Sequence, residues 1–272
     1  MITGPARKWL GVLALAGASF YLPANAHAQD WSDIEGRIQY AYFTNDERAL
    51  NSVLGSLKPK PGTEGEEAAG ADRGTRAYFR ALAHYRLAQL LTSARRSQAK
   101  DAIEACGDEI DRALGALPRI ADALDETPEN RQKRAEAYAL RTACTLAGRE
   151  MSSVPFTGGR IGSRIDEAVK LEPRNPRVRL VEALAMFERA GRNAEEKAAA
   201  LRSLRAVTVM FEQARAQASS TPAWGAAEAY AFLGRALIDQ RDVVGAREAL
   251  ERSLLFAPEY AFARRLMSQI TR

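Results

Sequence analysis

Apolar and polar residues alternate with a helical period over most of this chain. Near the C-terminal end, Tyr230, Leu233, Gly234 and Leu237 stand at i, i+3, i+4 and i+7, the stripe of one helix face. Gln240, Arg241 and Asp242 interrupt the pattern with a polar turn. A second stripe follows at Ala246, Leu250, Ser253 and Leu254, again at helical spacing. Pro258 closes it, because proline has no N–H to donate and clashes with the preceding turn. Gly234, Ala246 and Ser253 are small, so two antiparallel helices can approach where these residues meet, with Leu233, Leu237 and Leu250 filling the remaining space.

The same alternation recurs upstream. Ile165, Ala168 and Pro173 stand in the relation of Leu250, Ser253 and Pro258, and the helix preceding them is expected over Arg131–Gly148. The connection Glu150–Gly162 is long for a hairpin turn and predicts an insertion loop. Leu180, Leu184 and Phe187 predict a helix over Val178–Ala190; Leu201, Leu204, Thr208 and Phe211 predict its partner over Ala194–Ala216. Tyr78, Ala81, Leu82 and Tyr85 begin a further helix that runs to about Ala94. Its partner carries Ala99, Ile103, Cys106, Ile110 and Leu114. Tyr40, Phe43, Leu50 and Leu54 suggest another hairpin between Trp31 and Leu57. Phe262, Leu266 and Ile270 lie opposite Arg264, Arg265 and Gln269, the pattern of a helix that caps an open array end.

The last complete hairpin resembles a tetratricopeptide repeat, a helix–turn–helix unit of about 34 residues. Tyr230, Leu233, Gly234, Leu237, Ala246, Leu250, Ser253 and Pro258 carry the resemblance, as the expected repeat-packing positions. It covers most of residues 75–272 and is weaker before residue 131. It implies an all-α fold: an α-α superhelix, a solenoid of antiparallel helix hairpins. Such a superhelix offers a concave face lined by first helices. On this reading Glu228, Ala231, Arg235 and Asp239 face the groove and are the candidate binding residues. The lysine–asparagine clamp that some members use for a C-terminal carboxylate is not matched here, because Ala231 and Phe232 stand at positions that need polar groups.

The first 28 residues are a different object. Arg7 and Lys8 precede the apolar run Trp9–Leu22, and Ala26-His27-Ala28 supplies an A-x-A cleavage site, the three-part secretory signal. The run is short for a membrane span of about 20 residues. Residues 1–28 therefore read as a signal peptide, 29–57 as an N-terminal hairpin, 58–74 as a flexible linker rich in Pro, Gly and charge, and 75–272 as the repeat array. The expected location is periplasmic or secreted, with no stable membrane insertion after cleavage. Of 39 basic and 34 acidic residues, Arg7 and Lys8 lie in the signal. The remaining basic excess is too mild, and too mixed with acids, to indicate nucleic acid as a partner.

Little points to chemistry. His84 is the one histidine beyond the signal, without the partners a metal site needs. "TGGRIG" (Thr157–Gly162) lacks the closing Lys-Ser/Thr of a phosphate loop. The carboxylate pairs Glu66/Glu67 and Glu195/Glu196 read as solvated charge. No metal or cofactor is expected. Arg174, Arg177, Arg179, Arg202 and Arg205 read as a solvated face, or as a basic patch for an acidic partner. Cys106 and Cys144 fall in consecutive hairpins; export would allow a disulfide between them, and two separate buried thiols are the other reading. The expectation is a non-catalytic scaffold that binds another envelope protein or a peptide. A carrier of a small molecule or glycan, with its groove closed by Glu150–Gly162, is the alternative.

Overall fold

A computed structural model of the chain describes residues 31–58, 70–91, 95–118, 126–150, 159–217 and 224–271. Residues 1–28, read above as a signal peptide, Glu66/Glu67, most of the stretch read as a linker and the centre of the Glu150–Gly162 segment lie outside the described residues. The described residues are all-α. Five hairpins follow one another: α1 (Trp31–Phe43) with α2 (Glu47–Ser56), α3 (Gly70–Leu90) with α4 (Arg96–Gly115), α5 (Pro128–Glu150) with α6 (Gly159–Leu171), α7 (Pro176–Ala190) with α8 (Ala194–Gln217), and α9 (Ala226–Asp239) with α10 (Val243–Phe256). α11 (Ala261–Ile270) ends the array. Each hairpin packs within itself and on the next, and the first helices also pack on one another from α1 through α3 and α5 to α7. The result is a superhelix of stacked hairpins.

Local chemistry sets the turns. Asp46 accepts from the amide of Ala49 at 2.9 Å and caps α2, after Asn45 has taken the left-handed conformation at φ 56°. Asp242 caps α10 through the amide of Gly245, following Arg241 at φ 62°. Asn175 accepts from the amides of Arg177 and Val178, and Pro176 opens α7, where its missing N–H is no loss. Such caps satisfy amides that have no partner within the helix.

The α9–α10 interface follows the sequence pattern closely. Leu233, Gly234, Leu237, Ala246, Leu250 and Ser253 are buried, and Tyr230 is half-buried. A Cβ on Gly234 would lie 2.7 Å from Leu250 Cγ, so glycine is what permits this approach. Ser253 donates to the carbonyl of Ala227 at 2.7 Å and ties the two helices together. Pro258 lies just beyond the end of α10, where its carbonyl accepts from Arg264.

Several boundaries differ from expectation, and α3 ends at Leu90 rather than near Ala94. α3 starts at Gly70, inside the stretch read as linker, because Ala71–Arg76 can continue the helix and Gly74 allows close contact with α4. A Cβ on Gly74 would sit 3.0 Å from that of Ala116. α6 starts at Gly159, so the expected insertion is shorter than Glu150–Gly162, and part of "TGGRIG" is helix.

The sulfurs of Cys106 and Cys144 are joined, with their Cα atoms 6.5 Å apart. The bond links α4 to α5, and so the second hairpin to the third. Replacing both cysteines by alanine is expected to lower stability by about 2–4 kcal/mol. Chemical denaturation would show it as a lower midpoint with a steeper slope, because the unfolded chain without the cross-link exposes more surface.

Candidate functional site

The inner face of the superhelix is closed. α1 carries Trp31, Glu35, Gln39 and Tyr42 on one side, and each meets a different part of the array. Trp31 stacks on Phe79 of α3, ring centroids 5.6 Å apart. The Glu35 carboxylate accepts from Arg177 of α7 at 2.9 Å and from the backbone amide of Trp224 at 2.8 Å. Gln39 accepts from Arg86 of α3 at 3.2 Å. Tyr42 and Tyr260 bring their hydroxyls within 3.0 Å, next to α11. The ends of the array thus meet across its interior.

Arg86 is the hub of this closure. It is 1 % exposed. Its guanidinium donates to Glu228 of α9 and to Gln89, and it lies 4.2 Å from the centre of the Tyr42 ring. Burial, the largest influence, would lower the pKa of Arg86, but Glu228 together with Tyr42, Tyr85 and Tyr260 outweighs it and holds the group above the ordinary arginine value. Glu228 also accepts from the amide of Gly225 at 3.0 Å and so starts α9. One carboxylate therefore caps a helix and neutralises a buried cation.

This geometry corrects the expected groove. Glu228 and Ala231 are buried inside the closed interior and do not face an open surface. Ala231 packs in a cluster with Tyr42, Tyr260 and Leu266. Arg235 is half-buried over the Phe187 ring, 5.5 Å from its centre. Of the four residues, Asp239 alone is exposed. The physical reason is the curl of the stack: five hairpins bring α1 and α11 together, so the first helices fill the space they were expected to line.

A second polar cluster joins α1, α3, α5 and α7. Glu136 accepts from Arg177 at 2.8 Å, Asn175 at 2.9 Å, Gln132 at 3.2 Å and the Tyr78 hydroxyl at 3.3 Å. Burial works to raise the Glu136 pKa, but Arg177 and these donors overcome it and hold the group below the usual carboxylate value. Tyr78 accepts from the Trp224 indole at 3.0 Å. Its own pKa is raised, first by burial and then by Glu136. Arg177, expected on a solvated face or in a basic patch, pairs with carboxylates of its own chain, and Arg179 pairs with Glu182. His84 is partly buried; burial, with Arg80, lowers its pKa.

Beside this cluster a pocket of about 400 Å³ opens between α3, α4 and α5. Phe79, Ala113, Leu117, Pro118 and Ala137 form its apolar walls, and Tyr78, Glu136 and Arg177 reach it from the polar cluster. Lys133 stands at its edge, its ammonium 2.7 Å from Glu129. Its far wall is held in place by Arg134, which donates to Glu126 at 2.8 Å and to the carbonyl of Pro118. The sequence reading did not single out this pocket. Its walls come from three helix ends, and those of its residues that the sequence singled out, such as Tyr78 and Arg177, were named for other reasons.

Gly225 marks how tightly the closure is built. It holds φ +112°, and a Cβ there would lie 2.5 Å from Phe211 Cζ. Gly225→Ala is expected to cost at least about 2 kcal/mol, from a strained backbone and an overfilled contact together. A fall in thermal midpoint with unchanged helix content measured by circular dichroism would register it.

Among the described residues no group of three His, Cys, Asp or Glu side chains is placed to hold a metal ion. No helix among them is long and apolar enough to cross a membrane. No family model matches the chain, and no curated protein matches it either.

Proposed function

We propose that this chain is a non-catalytic binding protein of the cell envelope, built as a tetratricopeptide-like array, that holds a segment of another envelope protein or a peptide. The observation that carries the reading is the pocket between α3, α4 and α5. It lies between helices held together by a disulfide and by Arg134, and its walls are mostly apolar. Rigid, concave apolar surface with a few placed polar groups is what recognition requires. The buried carboxylates and cations near it are spent on one another, which suits a structural floor better than a reacting group. The secretory pattern of residues 1–28 supports a periplasmic or secreted location.

The test is capture by a photo-crosslinking residue placed at Asn130, on the pocket lining, with a control at the exposed Val244 on α10. The reading expects one defined polypeptide recovered from periplasm at Asn130 and absent at Val244. Folded protein that yields the same background at both positions would contradict it. A carrier of a small molecule is the second reading, favoured by a volume in the range of small-molecule sites. It expects no polypeptide, and a compound released from the purified protein on denaturation.

A further inference from the structure

We infer that the α3–α4–α5 pocket selects an uncharged apolar group, aromatic or branched aliphatic, and rejects charged ones. This deepens the binding reading given above by naming what the pocket recognises. Each of its charged neighbours already pairs with an opposite charge. Glu136 accepts four hydrogen bonds, about the capacity of a carboxylate. Arg177 gives one terminal nitrogen to Glu136 and the other to Glu35. Lys133 is engaged by Glu129. An anion entering the pocket would have to share Arg177 or Lys133 with the carboxylates they already pair with and lie beside Glu136, and a cation would have to draw Glu136 away from its donors. Either would be desolvated for a partner already shared with another group, whereas an uncharged group gains from the apolar walls.

The walls also limit what can enter. Gly74 and Ala116 bring α3 and α4 into contact on one side of the pocket. Cys106 and Cys144 lie about two helical turns along α4 and α5 from the wall residues Ala113 and Ala137. The disulfide therefore fixes the spacing of two of the three helices that bound the pocket, and the site keeps its shape before a ligand arrives. Preorganised apolar walls favour a compact, rigid group over a long flexible chain.

The uncharged group can come from a free small molecule or from a side chain of a bound polypeptide. N-Phenyl-1-naphthylamine, an uncharged dye, separates the proposal from its alternatives when compared with 8-anilinonaphthalene-1-sulfonate, which adds a negative charge to similar rings. Both would be titrated by fluorescence into the chain from Gln29 onward. The expected result is saturable binding of the uncharged dye at one site, with the sulfonate at least tenfold weaker. Ala116→Phe, which fills the pocket, and Pro118→Trp, which obstructs its exposed rim, should each weaken the uncharged dye at least tenfold. Circular dichroism confirms that each variant is folded, and if Ala116→Phe is not, the rim variant decides. Equal affinity for the two dyes, or unchanged affinity in the folded variants, overturns the proposal.

Displacement of the dye then identifies the source. Stronger competition by benzyl alcohol points to a free molecule. Stronger competition by a capped Gly-Gly-Phe-Gly-Gly peptide points to a polypeptide side chain. Failure of both at saturating concentration also overturns the proposal. Dye binding without any polypeptide captured at Asn130 would reject the scaffold reading while leaving the pocket's selectivity standing; capture without dye binding would do the reverse.

Discussion

Arg86→Met is expected to destabilise the protein by about 3–5 kcal/mol, because it leaves a buried carboxylate without its cation. Arg86 and Glu228 have side chains 1 % and 4 % exposed, so water cannot replace the lost partner. The methionine keeps much of the packing volume, which separates the electrostatic loss from a simple cavity. The aromatic face of Tyr42 loses its cation as well. The companion variant Arg86→Met with Glu228→Gln removes both charges together. It should recover a large part of the loss, since replacing a whole buried pair is far less costly than halving it. Equilibrium denaturation of wild type, both single variants and the double variant forms a complete cycle. Strict additivity would mean that the pair does not act as a unit.

The second large effect is at Arg177, and it carries a pH signature. Arg177→Met strips two carboxylates, Glu35 and Glu136, of a shared cation. The expected cost at neutral pH is again about 3–5 kcal/mol. In the wild type, Glu136 sits below the usual carboxylate value. Its contribution to stability is therefore present above the unfolded pKa, about 4.3, and is lost as pH falls through the lower folded value. In the variant, burial acts on Glu136 without Arg177 to oppose it, so the group should take up a proton at higher pH than when unfolded. The gap between wild type and variant should be widest near neutrality and narrow as the solution is acidified through the carboxylate range. Denaturation midpoints at a series of pH values between neutrality and mild acid would measure it. A gap that stays constant would mean that Glu136 is not held by Arg177.

Why these residues were hard to see in the sequence is instructive. The α9–α10 hairpin was legible because its stripe follows local spacing: Leu233, Gly234, Leu237, Ala246 and Leu250 need only a helical period and one turn. The helix of Phe262, Leu266 and Ile270 was legible for the same reason. Arg86 and Glu228 are partners 142 positions apart, and no local period records such a pairing. Their one signal was contextual. Glu228 stands among alanines at the start of α9, and Arg86 follows Tyr85 in a helix rich in aromatic residues. A charge within an apolar stripe asks for an internal partner, yet the sequence reading placed Glu228 on an open groove. That placement failed because the angle between successive hairpins is not written in any one of them. Small differences in that angle add up over five hairpins and decide whether the inner face stays open.

The same limit hid the pocket. Thr75 lies on α3, Leu117 in the turn after α4 and Asn130 on α5, and none belongs to a stripe that periodicity would select. The pairing of Cys106 with Cys144 was open from sequence. What the sequence offered was two cysteines in adjacent predicted hairpins; their approach to 6.5 Å between Cα atoms depends on the register of α4 against α5.

The closed interior is the centre of this account, because it replaces the groove with a buried polar core and leaves the α3–α4–α5 pocket as the candidate binding site. Amide hydrogen exchange of the intact chain, read peptide by peptide, tests it most directly. With α1 seated across the interior, the amides of Ile34 to Tyr42 should exchange as slowly as those of α9, opening with the fold as one cooperative unit. Rapid exchange throughout α1 while α9 stays protected would contradict the closure and restore an open inner face.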